Sequence, residues 1–235
     1  MIDIAGIPIR DVFEPDTIRL ISAAYIDEPA MAPLADNEAE LDFLAEIEGL
    51  TSKRLGSAVP IPSDLDPTEL LTQHAGCGWT YVNAAFCHTR PTGNRFNGPE
   101  RGAWYAAMGN DAVHTAHAEV AWHLGRELEA TGIFENVTSY RELVAGVMTR
   151  LHDISELADQ DFQNPDINIG YPAGQALAQT LRQTGSNGLV YSSVRRIGGV
   201  RLAVFRPHLV QNIRPGKTWV FSWDGRPEPT IEQAH

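Results

Sequence analysis

The chain has 235 residues, 43% hydrophobic and 20% charged, which suits one ordinary domain with a full core and makes disorder a poor default. Its formal net charge of −12 argues against a nucleic-acid-binding surface, which needs a basic patch, yet leaves room for a few convergent arginines around a small anion. No apolar run approaches the roughly 20 residues of a membrane helix, and the start MIDIAGIPIRDVFEPD lacks a cationic-then-apolar pattern. A cytoplasmic address follows as the expectation, with Cys77 and Cys87 as reduced thiols.

All 235 residues are expected to form a single domain, with 1–75 largely helical and 76–235 a core holding the cleft. TIRLISAAY, residues 17–25, fits a strand or a helix, and Arg19 within it passes for a surface charge. DNEAELDFLAEIEGL, residues 36–50, predicts an amphipathic helix with Asp36 as N-cap and Leu41, Leu44 and Ile47 at helical spacing. SAVPIPSDLDPTE is a proline-punctuated connection. GCGWTYVNAAFCHTRPT, residues 76–92, reads as a glycine turn leading into a strand. Its GxG is no dinucleotide fingerprint, because no GxGxxG follows and no helix is expected to open on it. His88 and Arg90 then sit at the strand's end, where they could face a cleft.

The stretch RFNGPERGAWYAAMGNDAVHTAHAEVAWH, residues 95–123, organises the rest. It predicts a loop carrying Arg95, a short strand ending near Tyr105, and a helix opening at Asp111 and carrying Glu119. An arginine, a tyrosine and a glutamate on three successive elements suit a ligand with both phosphate and a reacting sugar. At about 100° per residue, Val113, Ala116, Val120 and Leu124 share the helix face assigned to the core. Glu119 and His123 lie together at its margin, either as a rim pair facing a cleft or as a solvated pair. His114 and His117 are the obvious metal candidates, but Glu119 projects away from them, no HExxH spacing exists, and the cysteines form no CxxC pair. No metal is expected.

SYRELVAGVMTRLHD predicts a strand, with Leu143, Ala145, Val147 and Leu151 alternating. ADQDFQNPDINIG is expected as a loop, and AGQALAQTLRQTG as a helix stopped by Gly185. GLVYSS and VRLAVF form a hairpin turning through RRIGG, and KTWVFSWDG is expected as one more edge strand.

In this order the pieces IRLISAAY, EIEGLTSKRL, GNRFNGPERGAWYAA with TAHAEVAWH, and AGQALAQTLRQTGSNGLVYSSVRRIGGVRLAVFRP resemble the RES domain family, named for an arginine, a glutamate and a serine. Arg19 matches the family's first arginine, and Arg95 the arginine of its glycine–arginine–aromatic–asparagine motif. Tyr105 matches its strand tyrosine, Glu119 its glutamate and Ser193 its serine. Ser192 stands where relatives often carry proline, which leaves the serine open between Ser192 and Ser193.

The resemblance implies an α+β domain like that of ADP-ribosyltransferases, with a split central β-sheet flanked by helices and a cleft for NAD. It also implies a toxin of a toxin–antitoxin pair that degrades NAD by phosphorolysis or hydrolysis of the nicotinamide–ribose bond. NAD is then substrate rather than cofactor, and the partner is an Xre-type helix-turn-helix antitoxin, with room for a homodimer inside that complex. Departure of nicotinamide leaves an oxocarbenium-like ribose that a carboxylate can stabilise, which assigns Glu119. Arginine's fork suits a pyrophosphate, which assigns Arg19 and Arg95. Tyr105 would stack on nicotinamide and Ser193 would donate to a ribose or amide group. Each has a plain alternative: Arg95 capping a carbonyl, Tyr105 a core aromatic, Ser193 an ordinary strand serine. A protein-directed ADP-ribosyltransferase using the same site, or a non-catalytic partner-binding domain, are the competing functions.

Overall fold

The computed structural model of the protein describes residues 4–23, 61–157 and 159–234. The amphipathic helix expected over 36–50 and the last two residues of TIRLISAAY lie outside the described residues. Seven strands are present among those described: β1 Ile9–Ser22, β2 Trp104–Met108, β3 Glu135–Asp153, β4 Gly188–Ser192, β5 Val200–Val204, β6 Val210–Asp224 and β7 Thr230–Gln233. The α-helices are α1 Trp79–Cys87, α2 Ala112–Thr131 and α3 Ile167–Gln183. The expected α+β class is the one found. Residues 9–22 are strand, so the described part of TIRLISAAY takes the strand alternative through Ser22.

The sheet order is β1-β2-β5-β4-β3-β6-β7, and β1 also pairs with β3. Val147 pairs with Glu14 of β1 and with Val210 of β6, while His152 pairs with Ile9 of β1 and with Leu189 of β4. A strand residue has two edges, so β6 and β4 share one edge of β3 at different heights, and between them the sheet splits. Ile18 pairs with both Ala107 and Val144, which closes β1, β2, β5, β4 and β3 into a circuit. Pro15 removes a ladder donor, and β1 slips register between Glu14 and Thr17, a position where a strand tolerates proline.

Period-2 alternation sends neighbours to opposite faces. Trp104, Ala106 and Met108 of β2, with Val190, Leu202 and Val204, pack against Val82 and Phe86 of α1. Leu189, Tyr191 and Ala203 face the other way, onto Leu177, Ala178 and Leu181 of α3. Tyr105 and Arg201 lie on that second face, because Tyr105 stands opposite Ala203, and Arg201 opposite Ala107 and Tyr191.

Four expectations need correction. Residues 79–87 are a helix and not a strand: Gly78 at its N-cap takes a left-handed φ of 80°, and Val82 and Phe86, four apart, are fully buried. The side chain of Asn83 accepts from the backbone N–H of Leu71 and donates to its carbonyl, both at 2.9 Å, a long-range contact that no local pattern announces. A helix therefore does open just after the GxG. Residues 167–170, expected in a loop, are the first turn of α3, capped by Asp166 accepting from the Asn168 N–H at 2.9 Å. KTWVFSWDG is only the second half of β6, which lies inside the sheet between β3 and the true edge strand β7.

The fourth correction concerns α2. Its buried residues are Ala112, Thr115, Ala116, His117 and Glu119, whereas Val113, Val120 and Leu124 are only partly covered. The buried stripe is thus rotated toward the glutamate. His114 meets Asp111 at 2.9 Å and His117 packs edge-on against Trp219 at 4.5 Å. Among the described residues no group of three or more His, Cys, Asp or Glu is arranged to hold a metal ion. Cys77 is exposed and Cys87 buried, and neither is in a disulfide. No helix among the described residues is long and apolar enough to cross a membrane.

Candidate functional site

Glu119 is 8% exposed, not a rim residue, and both its oxygens are engaged. Ser193 Oγ donates to Oε1 at 2.9 Å, and Arg201 Nη1 lies 2.8 Å from Oε2. Burial pushes the Glu119 pKa up, but Arg201, Ser193 and the more distant His123 and Arg195 outweigh it and hold the carboxyl below its usual range. His123, one turn on, is lowered to about 4 chiefly by burial, so it is neutral at pH 7.

The loop after β4 is strapped to α2 at three points. Besides Ser193, Arg195 stacks on Trp122 with its guanidinium carbon 3.3 Å from the ring centroid, and Arg196 pairs with Asp111. Ser193 Oγ also accepts from the backbone N–H groups of Arg195 and Arg196 at 3.2 Å each, turning the loop back over the glutamate. Ser192 points elsewhere, donating to the carbonyl of Ser155 at 3.1 Å. Ser193, not Ser192, is therefore the serine at the glutamate, and its hydroxyl hydrogen is spent there rather than being free for a ribose or amide.

Arg95 is 6% exposed, and Nη1 donates to the carbonyls of Phe162 at 2.9 Å and Asn164 at 2.8 Å. The plain alternative of an arginine that caps carbonyls is thus realised, although its guanidinium also lines the cleft, 5.6 Å from the Tyr171 ring. α3 makes room for it with Gly170 and Gly174, four residues apart. A Cβ on Gly170 would stand 2.4 Å from Arg95 Nη1, and one on Gly174 would stand 2.2 Å from the Arg95 carbonyl oxygen.

Tyr105 presents its ring to the cleft while its hydroxyl donates to Asn97 Oδ1 at 2.8 Å and accepts from the Phe96 N–H at 2.9 Å. Burial raises its pKa well above the ordinary value, so it stays a phenol. Arg19 is partly buried; Nη1 donates to the Tyr105 carbonyl at 3.2 Å, and its guanidinium carbon lies 5.0 Å from the Trp104 ring centroid. Burial, with Arg201 nearby, lowers its pKa to about 10, which leaves it cationic at neutral pH.

These side chains border two compartments, of about 330 and 130 Å³. Arg19, His88 and Arg90 belong to the larger one, Arg95, Tyr171, Tyr191 and Arg195 to the smaller. Asn94, Tyr105, Glu119, His123 and Arg201 line both, so the glutamate stands at their junction. A larger cleft of about 840 Å³ opens along α3 beside Arg101, Arg182 and Arg206, and none of the five expected site residues lines it. Convergence decides between them: the smaller pair holds a buried carboxylate among five arginines and four tyrosines within a chain of net charge −12.

All five predicted residues thus reach one region, with Arg95 and Ser193 more occupied by the protein itself than expected. Arg201, Arg195, Tyr171 and Tyr191 were not anticipated. Arg201 and Tyr191 carried a readable signal, since Arg201 interrupts the otherwise apolar strand VRLAV and Tyr191 directly follows the apolar run GLV. Arg195 and Tyr171 had none, because a loop arginine and a helix tyrosine are ordinary on any surface.

Fold and site together define a mixed α+β domain with a split sheet and a small cationic cleft around one buried carboxylate. The chain belongs to the RES domain family, whose family model matches residues 71–224. That span takes in Arg95, Tyr105, Glu119 and Ser193, and leaves Arg19 outside it. Among solved structures, a crystal structure of the M. tuberculosis MbcT–MbcA toxin–antitoxin complex is similar with a TM-score of 0.45 and 13% identity, covering 89% of this chain and 85% of that one. No curated protein matches the sequence.

Proposed function

We propose that this RES domain is the toxin of a toxin–antitoxin pair and acts by breaking the nicotinamide–ribose bond of NAD. The observation that carries the reading is Glu119, a buried carboxylate kept ionised at the junction of two compartments whose walls are arginine and tyrosine. Joined, the compartments fall within the roughly 300–1,000 Å³ of small-molecule sites. Nicotinamide leaves with the bonding electron pair, and the positive charge that develops on the ribose is met by the carboxylate; water or phosphate then adds to the same carbon. Arg19 and the free part of the Arg95 fork are suited to the pyrophosphate, and the Tyr105 ring to the departing base. Ser193 acts on the glutamate rather than on the ligand.

Purified chain, freed of bound proteins, is expected to consume NAD and release nicotinamide, followed by chromatography with and without phosphate. Loss that phosphate accelerates marks phosphorolysis, and loss indifferent to phosphate marks hydrolysis. Label from NAD appearing on a protein instead marks transfer. An unchanged NAD pool in both buffers, with the protein shown to be folded, removes the NAD-degrading reading.

The toxin reading adds a partner, an Xre-type helix-turn-helix protein that covers the cleft. The chain induced alone in bacteria should arrest growth and deplete NAD, and its co-produced partner should restore both. Normal growth with abundant folded protein would rule out a toxin.

A further inference from the structure

Arg201 projects from the middle of β5, held in direction by pairing with Ala107 on one side and Tyr191 on the other. Its side chain is 16% exposed and that of Glu119 is 11% exposed, with 2.8 Å between their charged atoms. The guanidinium carbon lies 6.0 Å from the Tyr105 ring centroid and 5.6 Å from that of Tyr191, and the buried Nε has no hydrogen-bond partner among the described residues. A buried ion pair seldom repays its desolvation, and two apolar residues of similar size would often serve stability as well. A buried pair that also lines both compartments, with one donor left unsatisfied, is better explained by what it does to the carboxylate. Ser193 fixes one oxygen of Glu119 and Arg201 the other, so together they set the rotamer and the plane of the group.

We propose that Arg201 is a positioning residue, which holds the charge and the direction of the Glu119 carboxylate at the junction of the two compartments. It rests on the NAD-cleaving reading only for what the carboxylate then does. The groups facing Glu119 are Arg201 from β5, Ser193 and Arg195 from the loop after β4, His123 from its own helix, Tyr191 from β4 and Tyr171 from α3. Burial favours the protonated acid, and Arg201 is the largest of the interactions opposing it. An opposite charge at this range lowers a carboxyl pKa by roughly 1–3 units, so its removal should raise Glu119 by that much. Arg195 is more distant and already stacked on Trp122, and His123 is neutral above a pH of about 4, so neither replaces it.

The test titrates the Glu119 side-chain carbon by NMR, assigned by its absence in Glu119→Gln, in the wild-type chain, Arg201→Gln and Arg201→Lys. Gln can still donate to the carboxylate without its charge, while Lys restores the charge. The expected result is a Glu119 pKa below the usual range in the wild type, raised by about 1–3 units in Arg201→Gln and returned most of the way in Arg201→Lys. The acid limb of NAD turnover should move with it while KM changes less than kcat. An unmoved titration in Arg201→Gln overturns the proposal, as does a limb that stays fixed while activity drops evenly at every pH. Should Arg201→Gln fail to fold, Arg201→Lys decides: a pKa within the wild-type range sustains the charge role, and an ordinary or raised one ends it. The titration needs no turnover, so a chain that leaves NAD intact would remove the proposed function without touching this assignment.

Discussion

Replacing Glu119 by Gln should lower nicotinamide release on the order of 10²–10³-fold while leaving NAD affinity within a few-fold. The substitution keeps size and hydrogen-bonding reach and removes only charge. That charge meets positive charge that develops as the glycosidic bond breaks, so the loss falls on the transition state and not on the bound substrate. A second cost comes from the tertiary structure. Without the carboxylate, Arg201 is left buried beside Tyr105 and Tyr191 with no counter-charge, and breaking one side of a buried pair destabilises by about 3–5 kcal/mol. Single-turnover rates must therefore be taken well below the variant's unfolding temperature, beside calorimetric NAD binding. Near-normal turnover, or a loss confined to affinity, would sink the catalytic role of the glutamate.

The second large effect is expected at Arg95. As a pyrophosphate ligand alone, its replacement by Ala would weaken NAD binding about ten- to hundredfold, the worth of one charged hydrogen bond of roughly 1.5–3 kcal/mol. Its Nη1, however, holds the carbonyls of Phe162 and Asn164, and Gly170 and Gly174 leave a channel that the arginine fills. Ala would orphan both carbonyls and open that channel, so a stability loss of about 3 kcal/mol or more is expected in addition. Urea unfolding with NAD calorimetry on Arg95→Ala separates the two contributions. A variant as stable as the wild type that merely binds NAD more weakly would return Arg95 to the role of ligand residue only.

What was legible in the sequence follows the range of the forces involved. Period-2 patterning in β3 placed Leu143, Ala145, Val147 and Leu151 inside, all of them buried, because side chains of a strand alternate whatever it later pairs with. The GLVYSS and VRLAVF hairpin and the helix of Glu119 are likewise local patterns. The order of short motifs gave the family and, through it, the five residues that reach one region.

The rest was decided by contacts between segments far apart in the chain. Residues 79–87 hold aromatic and β-branched residues suited to a strand, and become a helix where Val82 and Phe86 can be buried on β2 while Asn83 ties to Leu71. β6 lies inside the sheet because β7 returns to cover its far edge. By its own helix Glu119 is a polar residue at the margin of an apolar stripe. It becomes a buried, ionised carboxylate because Ser193 and Arg201 arrive from the hairpin, 74 and 82 positions along the chain, and compensate a desolvation that no local pattern could offset. The sequence by itself determined which residue types line up in which order, since helix and strand periodicity are set by neighbours. Only the tertiary structure decided which charges are buried together, because burial and pairing depend on the closed circuit of β1, β2, β5, β4 and β3 that brings β5 beside α2.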